Sequence, residues 1–305
     1  MTQVNCKGDG RHAVVQGAVN GTPVKIDLYK LLRGRLRMIK RLIGLSLATL
    51  LLSSCATSPT GRHQLMLVSE DSAIASSKQA YVQTVKELDV AGKIEDDRAI
   101  NRRVNTITGR LITEAIKMRP DTANWEWSVV VIDDPEMINA WCMAGGRMAI
   151  YTGLIEQIDP TDDELAQVMG HEISHALAKH TAEKMSMQIA TSVGVAVVGI
   201  ASDNTGVALT GAALTAMLAV NLPNSRAAES EADQIGIELA AKAGYDPKAA
   251  ATLWDKMGAS SKSKTPQFLS THPDPENRQQ KLAKLESKME PYYQPDAEHP
   301  VYKLH

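Results

Sequence analysis

Residues 161–177 read TDDELAQVMGHEISHAL, and this stretch decides the fold because a helix start and a metal-ligand pattern occur together in it. Thr161 and Glu164 have the spacing of a capping box, in which each side chain satisfies a backbone N–H of the first turn. Asp162 and Asp163 place negative charge at the helix N-terminus, where it is stabilising. The pattern predicts an amphipathic helix whose apolar stripe is formed by Leu165, Val168, Met169 and Leu177.

The HExxH motif of this helix predicts a zinc site. His171 and His175 lie four residues apart, so their side chains share one helical face and can bind one metal ion. Glu172 lies about 100° further round the helix, where it can act as a general base on water without being a ligand. The alternative is a surface or core helix with two incidental histidines.

A downstream acidic cluster supplies a candidate third ligand, since a catalytic zinc ion usually takes three protein ligands and leaves a fourth position for water. The run Ser225-Arg226-Ala227-Ala228-Glu229-Ser230-Glu231-Ala232-Asp233 resembles the SRxxExEAD segment of peptidase family forty-eight, the zinc metallopeptidases of the HtpX, BepA, LoiP and mitochondrial Oma types. The resemblance implies that Glu229 is the ligand, that Asp233 supports the ligands and that Glu231 is a neighbour. Without the HExxH motif, an exposed acidic helix start would be the preferred interpretation.

A second matching segment, residues 139–151, predicts a hairpin that turns at Gly145 and Gly146, after a strand at Val129–Ile132. It resembles the family's NAFxxPGG edge strand, although Ala144 stands where the family often has proline. The resemblance implies that this strand binds an extended peptide through main-chain hydrogen bonds. The residues in question are Asn139, Ala140 and Trp141. The alternative is an ordinary hairpin packed on the core, with Trp141 buried.

Two further histidines have open roles. His272 lies in the segment Ser270-Thr271-His272-Pro273-Asp274-Pro275-Glu276-Asn277-Arg278, which resembles the family's THPxxxxR motif. The resemblance implies that His272 is a fourth zinc ligand and gate, or that it stabilises the oxyanion of the tetrahedral intermediate. The alternative is a loop histidine that sets the local turn. His180 lies two and a half helical turns after His171, so we expect it to point away from the metal face and to be structural.

The N-terminal region predicts the compartment. Met38-Ile39-Lys40-Arg41, an apolar stretch at Leu42–Leu52 and Ser53-Ser54-Cys55 have the order of a secretory signal. The apolar stretch is too short to span a bilayer, and a buried hydrophobic helix is its competing interpretation. Leu52-Ser53-Ser54-Cys55 resembles a bacterial lipobox, which implies lipidation of Cys55 and an outer-membrane lipoprotein facing the periplasm. We therefore expect residues 1–37 to be a spurious upstream extension and residues 38–54 to be the signal peptide.

Charge and cysteine content exclude other classes. Residues 1–54 carry nine basic and two acidic side chains, so the rest of this chain of net charge −2 is strongly acidic, and nucleic acid is not an expected partner. Cys142 is the one candidate nucleophile in the predicted domain. It lies in a strand pattern without an adjacent histidine, so a buried thiol is favoured.

We predict a single α+β domain at residues 55–290, with a zincin-like fold that is mostly helical and has a small sheet beside the HExxH helix. Helices are expected at 71–90 and 97–118, apolar stretches at 187–201 and 206–220, and a loose polar tail at 291–305. The resemblance implies a zinc metalloendopeptidase with one Zn²⁺ per chain that hydrolyses misfolded or misassembled envelope proteins in quality control. The alternatives are a chaperone-like periplasmic binding or assembly factor with a latent zinc site, and an integral-membrane prenyl-protein protease.

Overall fold

A computed structural model of the chain describes residues 3–5, 14–19, 22–27, 33, 35, 38, 55–201, 226–260, 267–272 and 278–304. The chain divides into two units, residues 1–55 and 56–305. In the first unit, an antiparallel sheet is formed in chain order by β1 (Gln3–Asn5), β2 (Val14–Val19) and β3 (Thr22–Asp27). The upstream extension and the signal peptide stay predictions, and residues 39–54 of the signal peptide lie outside the described residues.

Strand β4 (Cys55–Thr57) starts at the last residue of the first unit and pairs with β5 (His63–Leu65) in a short two-stranded sheet. Two long capped helices follow in the second unit. Helix α1 (Glu70–Val90) follows Ser69, and α2 (Arg98–Met118) follows Asp97; both side chains accept backbone N–H groups of the first turn. The predicted bounds of these helices are confirmed within one residue. The buried face of α2 contains Val104, Ile107, Leu111 and Ala115.

A three-stranded sheet lies beside the HExxH helix. Its strands are β6 (Ser128–Ile132), β7 (Ala140–Met143) and β8 (Arg147–Tyr151), in the order β6-β8-β7. Strand β6 runs parallel to β8, and β7 runs antiparallel to it, so the predicted hairpin is confirmed and β7 lies at an edge. The turn needs glycine at Gly146, because φ is +79° and a Cβ there would lie 2.4 Å from the Trp127 ring.

The HExxH helix lies in the centre of the core. After α3 (Thr152–Ile158), α4 (Asp162–Leu177) begins at the predicted capping box, with both hydrogen bonds between Thr161 and Glu164 present. The predicted stripe is buried, and so is most of the rest of the helix. A helix covered on all sides is a core element, which explains why its polar residues are paired or functional.

The remaining helices surround α4. They are α5 (His180–Ala201), α6 at residues 226–242, α7 (Ala249–Ser260), α8 (Gln267–Thr271) and α9 (Arg278–Met289). The predicted apolar stretch 187–201 is part of α5, and the stretch 206–220 lies outside the described residues. Within the parts of the chain that the structure describes, every helix is too short or too polar to cross a bilayer. The predicted mostly helical α+β arrangement with a small sheet is confirmed.

The prediction of a loose C-terminal tail is wrong. The Tyr302 N–H donates to the Gly109 carbonyl oxygen at 3.0 Å, and the Thr113 hydroxyl donates to the Pro300 carbonyl oxygen at 3.0 Å. Tyr302 and Leu304 pack against the main core. Most of the tail is polar, but Tyr302 and Leu304 fix its end on the core. Gly109 of α2 leaves room for the Tyr302 backbone.

Candidate metal centre

Helix α4 brings the two motif histidines together. The Nε2 atoms of His171 and His175 lie 3.1 Å apart, as expected for side chains one turn apart on a helix. His171 is 5% exposed, whereas His175 is partly exposed. The two nitrogens therefore point at one location on the face of α4.

Helix α6 adds a carboxylate to this location. One carboxylate oxygen of Glu229 lies 3.2 Å from His171 Nε2, and the other lies 3.5 Å from His175 Nε2. The helices approach closely because two glycines face each other. A Cβ at Gly170 would lie 2.9 Å from the Gly236 carbonyl oxygen, and a Cβ at Gly236 would lie 2.9 Å from His171 N. Helix contact at backbone distance thus places the Glu229 side chain within reach of both histidines.

His272, just after α8, completes a group of four. Its Nδ1 lies 3.2 Å from His171 Nε2 and 3.1 Å from Glu229 Oε2, and its ring stacks on Phe268. The candidate ligand atoms of His171, His175, Glu229 and His272 all lie within 4.8 Å of one another. Imidazole nitrogens and a carboxylate oxygen are a donor set that zinc takes, so these residues fit a zinc ion.

The charges of the site also favour a cation. Although burial alone lowers it, hydrogen bonds to Asp233 and Glu229 raise the pKa of His171 to about 9. Burial, reinforced by the nearby positive charge of His171, holds the pKa of His175 well below its usual value. The buried carboxylates of Glu229 and Asp233 therefore favour positive charge at this location, and a metal ion can supply it.

Glu172 faces the same space without being part of the ligand group. Burial raises the pKa of its carboxyl group. Its Oε1 is buried and lies 3.3 Å from His272 Nε2, yet it accepts no hydrogen bond from any residue that the structure describes. A buried acceptor without a donor is costly, so this oxygen is suited to accept a proton or hydrogen bond from a bound molecule.

Asp233 supports His171 from behind. Its Oδ1 lies 3.0 Å from His171 Nδ1 and accepts from Arg278 at 2.5 Å, and the Arg278 guanidinium lies over the Trp254 ring at 3.7 Å from its centroid. A carboxylate at Nδ1 holds that nitrogen protonated, which leaves the Nε2 lone pair for a metal ion. The supporting role that the resemblance implied for Asp233 agrees with this position.

The expected orientation of His180 is wrong. Helix α4 ends before His180: Ala178 is its C-cap, and Lys179 has a left-handed conformation with φ +59°. His180 begins α5 instead, with Nδ1 2.8 Å from His175 Nδ1 and Nε2 3.1 Å from a Glu231 carboxylate oxygen. The break turns His180 back towards the metal group. Side chains beyond the end of a helix no longer follow its 3.6-residue repeat.

The residues of the predicted substrate strand lie along β7 and at its start. Ala140 is buried and pairs with Ile150, while Trp141 is partly buried, with its ring 5.9 Å from that of Tyr81. Asn139 is partly buried. Burial raises the pKa of the adjacent Cys142 thiol well above its usual value, which agrees with an unreactive thiol. Peptide binding by Asn139, Ala140 and Trp141 stays a prediction.

Sequence reasoning did not find several supporting residues. Arg62 and Glu183 hold the supports of the site, and no local pattern indicates their contact across 121 positions of sequence. Arg278, which contacts His171 and Asp233, stands at the arginine position of the segment that resembles THPxxxxR, but that pattern does not reveal its contacts. The glycines at 170 and 236 did leave a signal, because a glycine in a helix interior is destabilising unless close packing requires it.

Comparison with known proteins adds independent information. The model of peptidase family M48 matches residues 98–286. The chain is 32% identical to the mitochondrial metalloendopeptidase OMA1 of Homo sapiens over 74% of its own length and 44% of that protein. It is 29% identical to the beta-barrel assembly-enhancing protease of Escherichia coli over 64% of its length and 40% of that protein.

A third relative is the mitochondrial metalloendopeptidase OMA1 of Arabidopsis thaliana, which is 35% identical over 52% of this chain and 31% of that protein. The chain thus spans less than half the length of each of these three relatives. The family model covers every residue of the metal group and of the hairpin.

Proposed function

This chain belongs to peptidase family M48, and we propose that it works as a zinc-dependent metalloendopeptidase. Membership also confirms the predicted zincin-like fold. The observation that carries the proposal is the convergence of four candidate ligand atoms within 4.8 Å, with the buried and unbonded Glu172 Oε1 beside them. His171, His175 and Glu229 would hold the ion.

Hydrolysis follows from the groups around this location. When bound, zinc supplies Lewis acidity, which makes water a stronger acid and a peptide carbonyl a better electrophile. Glu172 takes a proton from the attacking water and passes it to the leaving amine nitrogen. Because burial raises the pKa of Glu172, its carboxylate is a stronger base than an exposed one. The peptide bond breaks without a covalent acyl-enzyme.

The first experiment measures zinc content and cleavage of an unfolded protein by the purified full chain and by Glu172→Gln. We expect one zinc ion per chain in both, and a loss of cleavage by at least about a hundredfold in the variant, the usual contribution of a general base. Glu114→Gln is the control, since Glu114 is also buried but pairs with Lys117 on α2. Absence of zinc, or cleavage that is independent of Glu172, would refute the proposal.

His272 supports a second candidate function. Its Nδ1 lies within the ligand group, and four protein ligands would fill the position that a catalytic zinc ion keeps for water. A site closed in this way would suit a chaperone-like binding or assembly factor with rare cleavage. His272→Ala separates the roles: faster cleavage identifies a gate, whereas slower cleavage with full zinc content identifies an oxyanion-stabilising residue.

We further propose that the substrates are misfolded or misassembled proteins of the bacterial envelope. The name of the Escherichia coli relative, a beta-barrel assembly-enhancing protease, supports this substrate class. The position of β7 at an edge of its sheet supports binding of varied sequences, because main-chain hydrogen bonds do not depend on side chains. Cells that express Glu172→Gln should accumulate a misassembled outer-membrane protein that cells with the wild-type chain degrade. Equal turnover in both would contradict the proposal.

Cys55 is the proposed lipid-attachment site of an outer-membrane lipoprotein that faces the periplasm. Its place after Leu52-Ser53-Ser54 supports this proposal. In cells fed a labelled fatty acid, Cys55→Ser should lose both the label and membrane association. The control, Cys142→Ser, should keep both. Retention of label by Cys55→Ser would assign the lipid to another position.

A further inference from the structure

Glu231 is a buried carboxylate that no metal-ligand role explains. It is 4% exposed and accepts hydrogen bonds from Thr60, Arg62 and His180. Two of these donors belong to the segment between β4 and β5, which precedes the region matched by the family model. We propose that Glu231 is a positioning residue that sets, through His180, the tautomer and orientation of the metal ligand His175, and that Arg62 holds Glu231 in place for this role.

The direction of each hydrogen bond follows from one fixed charge. The Glu231 carboxylate only accepts, so His180 must carry its proton on Nε2, which lies 3.1 Å away. A neutral His180 then has a lone pair on Nδ1, which lies 2.8 Å from His175 Nδ1. His175 must therefore donate from Nδ1, and its Nε2 lone pair is left to face His171 and Glu229.

This arrangement parallels the support of the other motif histidine. Asp233 contacts His171 Nδ1 directly, at 3.0 Å. Glu231 performs the same task for His175 with His180 in between. Each motif histidine thus has a buried carboxylate that, directly or through His180, keeps the proton on the nitrogen that faces away from the metal group. Replacement of a residue that hydrogen-bonds to a metal ligand usually weakens metal binding by about 10- to 100-fold.

Arg62 anchors the carboxylate and the helix break together. Its Nε donates to Glu231 at 2.7 Å, and its two terminal nitrogens donate to Glu183 at 2.7 and 2.6 Å. Gln64 donates to Glu183 and to the Ala178 carbonyl oxygen at the end of α4. The rigid fork of one arginine therefore fixes Glu231 relative to the turn on which His180 lies.

Three donors converge on the Glu231 carboxylate. They are the Thr60 hydroxyl, Arg62 Nε at 2.7 Å and His180 Nε2 at 3.1 Å. The Arg62 guanidinium at this distance forms a charge-assisted hydrogen bond, which is stronger than one between neutral groups. The carboxylate is thus held as an acceptor that faces His180 Nε2.

The inference rests on the proposed zinc site and is tested on the full chain by zinc affinity, measured by chelator competition. We expect Glu231→Ala to weaken zinc binding by about 10- to 100-fold. Glu231→Gln should recover most of this loss, since its carbonyl oxygen can accept the His180 N–H. Arg62→Gln should give an intermediate loss. The control Glu114→Ala removes a buried carboxylate on α2 and should leave zinc affinity within twofold.

A structural ion pair would behave differently. If Glu231 only docks the segment between β4 and β5, Glu231→Gln should be as harmful as Glu231→Ala, since both remove the charge that pairs with Arg62. That result, or an unchanged zinc affinity in Glu231→Ala, would overturn the inference. A wild-type chain that binds no zinc would instead refute the proposed function, so the two failures are distinguishable.

Nitrogen-15 spectra of the histidine-labelled, zinc-loaded wild-type chain give a second readout, which reports the two tautomers directly. We expect His180 as the Nε2–H tautomer and His175 as the Nδ1–H tautomer. The single variants His175→Gln and His180→Gln assign the two signals. An Nδ1–H tautomer at His180 would overturn the inference directly.

Discussion

The close contact between α4 and α6 makes Gly236→Ala a sharp test of how the metal site is assembled. The added methyl carbon would lie 2.9 Å from His171 N, about 0.5 Å short of the 3.4 Å at which ordinary van der Waals contact begins. It would also lie 3.0 Å from His171 Cα and 3.1 Å from the Gly170 carbonyl carbon. All three atoms are backbone, so no rotamer change can relieve the clash, and the helices must separate.

Two opposing effects set the magnitude. Overpacking of a core contact costs about 1–3 kcal/mol. Alanine in a helix interior gains up to about 1 kcal/mol over glycine. We therefore expect Gly236→Ala to lower the free energy of unfolding by about 1–2 kcal/mol. The same separation moves Glu229 away from His171, now 3.2 Å apart, so zinc affinity should fall by about tenfold or more.

Urea unfolding of the metal-free chain and chelator competition measure these two quantities. The control is Gly258→Ala in α7, where an added Cβ meets no atom of the described residues within 4 Å. This variant should match or exceed the wild-type stability and keep its zinc affinity. If Gly236→Ala is as stable as the wild type and binds zinc equally well, the contact of the two helices does not position Glu229, and the reasoning is refuted.

Three further predictions concern the frame of the site. Thr161→Ala removes the N-cap of α4 and should lower the free energy of unfolding by about 1 kcal/mol in urea titrations; an unchanged midpoint would contradict the capping role. Burial by itself would raise the pKa of Glu164, but its hydrogen bonds, led by the one from Lys256, hold the pKa below the value in the unfolded chain. The ionised Glu164 therefore stabilises the fold fully above about pH 4.5, and this contribution is lost as the pH falls through the pKa of the folded state. Glu164→Gln should therefore lose less stability than the wild type on acidification below about pH 4.5, and parallel pH–stability curves would exclude this contribution. Deletion of residues 298–305 should lower the free energy of unfolding by about 2 kcal/mol, because Tyr302 and Leu304 pack on the core, whereas a loose tail could be removed without effect.

Much of the metal centre could be predicted from residues close together in the chain. The capping box at Thr161 and Glu164 and the four-residue spacing of His171 and His175 act within one or two helical turns, and both appear in the structure as expected. The hairpin turn at Gly145 and Gly146 is equally local. Glu229 lies 58 residues after His171, and it was found only through the resemblance of its segment to a known family.

Other features depended on contacts that no local pattern encodes. His180 faces the metal group, contrary to the phase of an unbroken helix, because Lys179 adopts a left-handed conformation that ends α4. The docking of the C-terminal tail depends on Gly109, which leaves room for the Tyr302 backbone. Arg62 reaches Glu231 across 169 positions of sequence.

The sequence by itself determined the helices, the hairpin and the identity of the reactive residues, since capping and periodicity act over a few residues through hydrogen bonds and side-chain phase. Only the tertiary structure decided which of these residues support one another. The approach of α4 and α6 at Gly170 and Gly236 brings the ligands together. The tautomers of His171 and His175 depend on two buried carboxylates, Asp233 and Glu231. Each carboxylate is held in place by hydrogen-bond donors that lie far away in the sequence and come close only in the folded chain.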